Sequence, residues 1–202
     1  MEDNLKTGDL LLFSESGHGF THMLSSLIKW CTHSSYTHVA MVLKNPSFIH
    51  PSLRGTFVWE SSWEGTPDPQ DGKIKLGVQI TPLQEVLRAY KKTGRVFLRK
   101  IITEENSFAE ANLAEIHKIV YDKPYDIVAK DWIEALFQVD DKPQKTDRFW
   151  CSALIGYVYT KCGILQADTD WSIMRPCDFG IEGEHLNYVG ESKLENIETR
   201  IQ

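Results

Sequence analysis

A chain of 202 residues, 42% hydrophobic and 25% charged, is long enough to bury a full core and too apolar to be disordered. Its formal charge of -6 and pI of about 5.6 argue against nucleic acid or an anionic membrane as the default partner. The 4 cysteines are far apart and form no CxxC pair, which argues against a disulfide scaffold and a closed zinc knuckle and fits a reducing compartment.

The first residues, Met1 to Lys6, carry acids and lack an apolar core, so no signal peptide is expected there. No segment approaches the roughly 18 continuous apolar residues of a membrane span. The expected location is cytoplasmic or otherwise intracellular, with a virion as the alternative. Gly8 to Phe13 reads as a buried strand entered through a turn. Phe20, Met23, Leu24, Leu27 and Ile28 make the apolar stripe of a helix ending near Trp30 or Cys31. Tyr36 to Leu43 and Thr56 to Ser61 are β-branched and aromatic enough to be strands. Glu64 to Gly72 is acidic, with glycine and proline, and reads as an exposed loop.

Gly77 to Ile80 is a short strand, and Thr81-Pro82-Leu83-Gln84 has a helix-start pattern: threonine cap, proline first, glutamine reaching back. Arg95 to Ile102 is the next strand. A longer helix is expected from Thr103, burying Ala109, Leu113, Ile116 and Val120. Lys123 to Asp126 is a turn, Ile127 to Phe137 a short helix, and Val139 to Asp147 a charged loop. The tail from Gln166 reads as irregular. The pattern predicts one α+β domain over residues 1–202, a small, mostly antiparallel sheet packed against helices.

Phe149 to Gly163 reads as a helix with Cys151 in its first turn and Gly163 closing it in a left-handed conformation. Cys151, Leu154, Ile155, Val158 and Cys162 share a stripe, so the thiol points inward. A thiol in a first turn lies near unpaired N–H groups and the positive end of the helix dipole, which favour thiolate. Taken alone, such a cysteine is more often a small buried apolar residue.

A cysteine nucleophile needs a base and a group to hold that base. His38 begins an apolar strand and is therefore fixed. On the next strand Val58, Glu60 and Ser62 share a face. An antiparallel register placing Leu43 opposite Gly55 also places His38 opposite Glu60, so Glu60 holds one ring nitrogen while the other faces Cys151. Each residue has a plainer reading as a core histidine, a solvated strand residue and a structural thiol. A zinc site using Cys31, His33 and His38 lacks a recognisable spacing and a fourth ligand. His18, His22, His50, His117 and His185 read as surface or loop residues, and Asp68 and Asp71 as loop acids. No metal and no cofactor is expected.

In order, several pieces resemble the circularly permuted NlpC-type papain-like cysteine hydrolases, and within them the YiiX-like group, which has poxviral relatives. The pieces are Thr7 to Phe13, Ser35 to Val42, Val58 to Ser61, Gly77 to Leu83, Pro124-Tyr125-Asp126 and Phe149 to Leu154. The resemblance implies a permuted papain-like fold with Cys151 as nucleophile, His38 as base and Glu60 as orienting residue. From the same pieces, Tyr125 and Trp150 are the candidate substrate-binding residues. Ala153 and Trp150 depart from the acidic residue and the tyrosine common in the family, and about 179–202 has no counterpart in it. The implied activity is a cysteine peptidase or amidase cleaving an amide or ester through an acyl-Cys151 intermediate. The alternatives are a lipid acyltransferase or phospholipase on the same fold, or a non-catalytic binding or virion protein. The expected partner is a peptide, amide or lipid-ester substrate, not a nucleic acid.

Overall fold

The computed structural model describes residues 2–15, 36–91, 94–126, 146–183 and 186–202. The expected helix ending near Cys31, the Ile127–Phe137 helix, most of the charged loop after it, and Cys31, His18, His22, His33 and His185 lie outside the described residues. The strands are β1 (Leu10–Glu15), β2 (His38–Lys44), β3 (Thr56–Ser62), β4 (Gly77–Pro82), β5 (Gly94–Arg99), β6 (Ile101–Ile102), β7 (Lys193–Leu194) and β8 (Thr199–Arg200). The helices are α1 (Leu83–Tyr90), α2 (Glu110–Val120) and α3 (Cys151–Lys161).

Six strands form one sheet in the order β4-β3-β2-β1-β5-β8, antiparallel at every pairing. Side chains alternate between its faces, and both faces are apolar. Leu10, Leu12, Val39, Met41, Phe57, Trp59 and Ile80 meet Leu113, Ile116 and Val120 of α2 and Leu154, Ile155 and Val158 of α3. Leu11, Phe13, Ala40, Val42, Val58, Val96 and Leu98 meet Leu83 and Val86 of α1. The architecture is α+β, as the order of elements implies.

Local details differ from the sequence reading. Thr81 does not cap α1: it stays in β4 opposite Val58, the helix starts at Leu83, and the Gln84 amide bonds Glu2 instead of the cap. Helix α2 starts at Glu110, not Thr103, because the Thr103 hydroxyl is bonded to Ser107 and Ser192. The strand expected over 95–102 breaks at Lys100 into β5 and β6, and β6 pairs with β7. The tail is less irregular than it reads, since β8 extends the main sheet beyond β5.

Helix α3 is buried all round from Cys151 to Tyr159, not along one stripe. The turn Trp171–Ile173 and Met174 cover it from outside, so close that a Cβ on Gly156 would lie 2.5 Å from Met174 Sδ and 2.9 Å from Trp171 Cβ. Gly163, at φ +70, ends the helix in the expected left-handed turn. Gly156→Val should therefore lower stability by about 1–3 kcal/mol through overpacking, read as a lower urea midpoint. An unchanged midpoint would show that Trp171 and Met174 yield freely.

Candidate active site

His38 is the first residue of β2 and Glu60 lies near the end of β3. The observed register pairs Leu43 with Phe57, not with Gly55, and Met41 with Trp59. Continued, it sets Ala40 across from Glu60 and His38 two residues beyond. The shift is even, so both side chains keep the same face. A diagonal pair has Cα atoms about 7–8 Å apart, a gap that an imidazole and a carboxylate span together. His38 Nε2 and Glu60 Oε2 are 2.8 Å apart. Glu60 is 1% exposed and the His38 side chain 12%.

Alternation puts this pair on the α1 side of the sheet, where the His38 ring packs on Phe13 at 5.0 Å between centroids. Cys151 begins a helix packed on the opposite side. The two meet at the start of β2, where the thiol is hydrogen-bonded to the His38 ring and to the backbone N–H groups of Val39 and Ser152. Nε2 is taken by Glu60, which leaves Nδ1 for the sulfur.

Burial alone would push the His38 imidazole down. The Cys151 charge and hydrogen bond, together with those of Glu60, outweigh it and hold the ring well above its ordinary value. Burial would likewise raise the Cys151 thiol, but the imidazolium and the two N–H donors hold it below. The pair therefore favours thiolate and imidazolium. Among the described cysteines Cys151 stands alone: burial pushes Cys162 up to about 12, and burial with the Asp178 charge pushes Cys177 up to about 11.

The nucleophile helix is placed by backbone bonds that no local pattern announces. Tyr125 and Phe149 form a parallel bridge, with Phe149 N–H donating to Pro124 O (3.1 Å) and Asp126 N–H to Phe149 O (3.2 Å). The buried Ser61 hydroxyl also donates to Phe149 O, at 2.6 Å. Gly77, at φ +150, lets this segment pair closely with the start of the edge strand β4, because a Cβ there would lie 2.3 Å from Lys123 O and 2.9 Å from Pro124 Cα. Trp150 is buried, and its indole N–H donates to Met174 O (3.1 Å), which also accepts from the Ser152 hydroxyl (2.7 Å). Tyr125 lies beside the thiol; burial and the charges of Cys151 and Asp126 raise its phenol well above its ordinary value.

Of the residues read as surface or loop groups, His50 keeps that place, and His117 and Asp68 do not. His117 is half-buried, with Nε2 2.8 Å from Gln70 Oε1 and its ring against Phe48, Trp59 and Tyr121. His50 is exposed and bonded to Ser52. Asp68 is no solvated loop acid: it is buried and ion-paired to Lys75, whose ammonium also reaches Asp71 and Asp122.

No family model and no curated protein matches the chain. Among solved structures it is similar to the metalloprotein yiiX from Escherichia coli O157:H7, with 21% identity and a TM-score of 0.49, covering 78% of this chain. It spans 66%, about two thirds, of the length of that neighbour. Among the described residues no helix is long and apolar enough to cross a membrane.

Alkylation separates acidity from access. Cys177 is the most exposed of the three described thiols, yet Cys151 should react first with iodoacetamide near neutral pH, since the others are protonated there. Because the Cys151 pKa is lowered, its labelling should persist as pH falls below the ordinary thiol range, while labelling of Cys162 and Cys177 should rise only in alkali. Peptide mapping after limiting alkylation reads the order; Cys177 labelled ahead of Cys151 would contradict it.

Proposed function

We propose that this chain is a thiol hydrolase of the cysteine peptidase or amidase class, with Cys151 as nucleophile, His38 as general base and Glu60 as the group that orients it. The reading rests on one observation: a buried chain of contacts running from Glu60 through His38 to Cys151, a thiol whose pKa is lowered. The order His, Glu, Cys along the sequence is also that of the permuted papain-like enzymes.

In the proposed reaction the Cys151 thiolate attacks the acyl carbon, and the carbonyl π-pair moves onto oxygen. The backbone N–H of Cys151, at the start of α3, is the proposed donor to that oxyanion. His38 Nδ1 passes its proton to the leaving amine or alkoxide as the C–N or C–O bond breaks, leaving a thioester. Water then gives a proton to His38 and attacks the thioester, and Cys151 departs as thiolate. Glu60 accepts from Nε2–H throughout, which fixes the tautomer and stabilises imidazolium.

The lipid-ester alternative uses the same chemistry, and one observation favours it as the second reading. Trp63 and Leu76, just past the paired ends of β3 and β4, are 54% and 43% exposed. A peptide amide that releases an aminocoumarin and a long-chain ester that releases a hydroxycoumarin distinguish the two. Glu60 Oε2 is committed to the ring, so Cys151 and His38 offer two donors, and no group of three or more His, Cys, Asp or Glu side chains suited to a metal occurs among the described residues.

Cys151→Ala should abolish acyl-enzyme formation, and His38→Ala should lose about 10²–10⁴-fold in hydrolysis of a thioester reporter. Glu60→Gln should lose less, roughly 10–10²-fold, since it keeps an acceptor but not the charge. Full activity in Cys151→Ala would remove it as the nucleophile.

The same variants differ in stability. Glu60 is buried and, among the described residues, its Oε1 has no hydrogen-bond partner, so the His38 ring is its compensation. His38→Ala should cost about 3–5 kcal/mol at neutral pH, whereas Cys151→Ala should melt close to wild type. Equal melting of all three variants would show that the buried pair is no structural constraint.

A further inference from the structure

The segment after Asp178 returns to the site from the far edge of the sheet. Arg99 ties it down, donating from Nη1 to Phe179 O (2.7 Å) and from Nε to Glu195 O (2.9 Å). Strand β8 pairs with Phe97 and Leu98, and Ile201 N–H donates to Val96 O at 2.9 Å. Just before β8, Glu198 bridges two segments. Its Oε1 accepts from Ile181 N–H at 2.7 Å, and its Oε2 accepts from the Tyr36 hydroxyl.

Tyr36 sits in a socket this segment helps to build. A Cβ on Gly180 would lie 2.9 Å from the Tyr36 ring, and Phe97 meets that ring edge-on at 5.8 Å. Two residues later the chain reaches His38, with Thr37 N–H donating to Phe13 O at 2.8 Å between them. His38, the first residue of β2, pairs with Phe13, and the chain before it is held by Thr37, whose hydroxyl also donates to Phe13 O, and by Tyr36.

We propose that Glu198 is a positioning residue for the site: by holding Tyr36 it fixes the entry of β2 and so the angle at which the His38 ring meets Cys151. The inference rests on the Cys151–His38 reading above and adds the C-terminal segment to it. Among the described residues, the charged groups that act on Tyr36 include Glu198, Glu182 and Arg99, and those that act on His38 include Cys151 and Glu60.

The test is the pH profile of Cys151 alkylation by iodoacetamide in the full chain, for wild type, Glu198→Gln, Tyr36→Phe and the double variant. Each single substitution keeps the size of its side chain and weakens one bond. Each should move the reactive-thiolate midpoint up by about 0.5 pH unit, roughly a threefold loss of labelling below it, with labelling in alkali unchanged. The double variant should be no worse than the worse single, because both act through one contact. Ser192→Ala, which breaks the bond to Thr103 elsewhere in the segment, should lower the melting temperature and leave the profile unmoved. Wild type that leaves Cys151 unlabelled overturns the thiol-hydrolase reading, and this inference with it. Wild type that labels, with the Glu198 and Tyr36 variants superimposed on it, overturns this inference alone. So does a profile that Ser192→Ala moves as far as Glu198→Gln does.

Discussion

Glu60 is a carboxylate inside a β-sheet, and among the described residues one of its oxygens has no hydrogen-bond partner. Desolvating such a group costs several kcal/mol, and only a close, well-aligned cation offsets that cost. The cation here is itself conditional, because an imidazole is charged only when its surroundings favour it. Those surroundings are the Glu60 charge on one nitrogen and the Cys151 thiol on the other. The ring is thus held in its charged form by its two neighbours, and it in turn favours thiolate at Cys151. The buried chain of contacts is a constraint on the fold before it is a proposal about chemistry.

The sheet makes the arrangement possible by ending where it does. Within β2 a side chain belongs to one face, and His38 belongs with Ala40 and Val42, away from the helix that carries Cys151. At the end of a strand that separation lapses, and a ring on one face can meet a thiol arriving from the other. The backbone N–H of Val39 marks the crossing, since it bonds the sulfur directly. A site deeper in the sheet would have its two halves divided by a layer of backbone.

Much of this was legible in the sequence, for definite reasons. Strands such as Val39 to Leu43 are apolar without a break because both faces are covered, and α3 is announced by its closing glycine. The faces of His38 and Glu60 followed from the period of two, which is why a register wrong by two residues still brought them together. What was not legible depends on partners distant along the chain. Nothing local to Asp68 shows that an ammonium will bury it, and nothing local to Thr103 or Thr81 shows that other bonds outweigh helix capping. The Ser61 hydroxyl reads as an ordinary strand residue until Phe149 O, far along the chain, is found above it. The short strands of the tail are two residues each, below the length at which periodicity says anything.

Gly77 shows what that dependence on distant partners implies. It touches none of the three groups at the centre and sits where a loop enters a strand. Any side chain there must push Pro124 and Tyr125 off the sheet, and they carry Phe149, which stands two residues before Cys151. In a mutational scan scored by thiol reactivity, Gly77 would sort with the residues of the site and not with the surface turns it resembles. A map of intolerant positions would therefore overstate the extent of the reacting centre, by including the backbone supports that set its geometry.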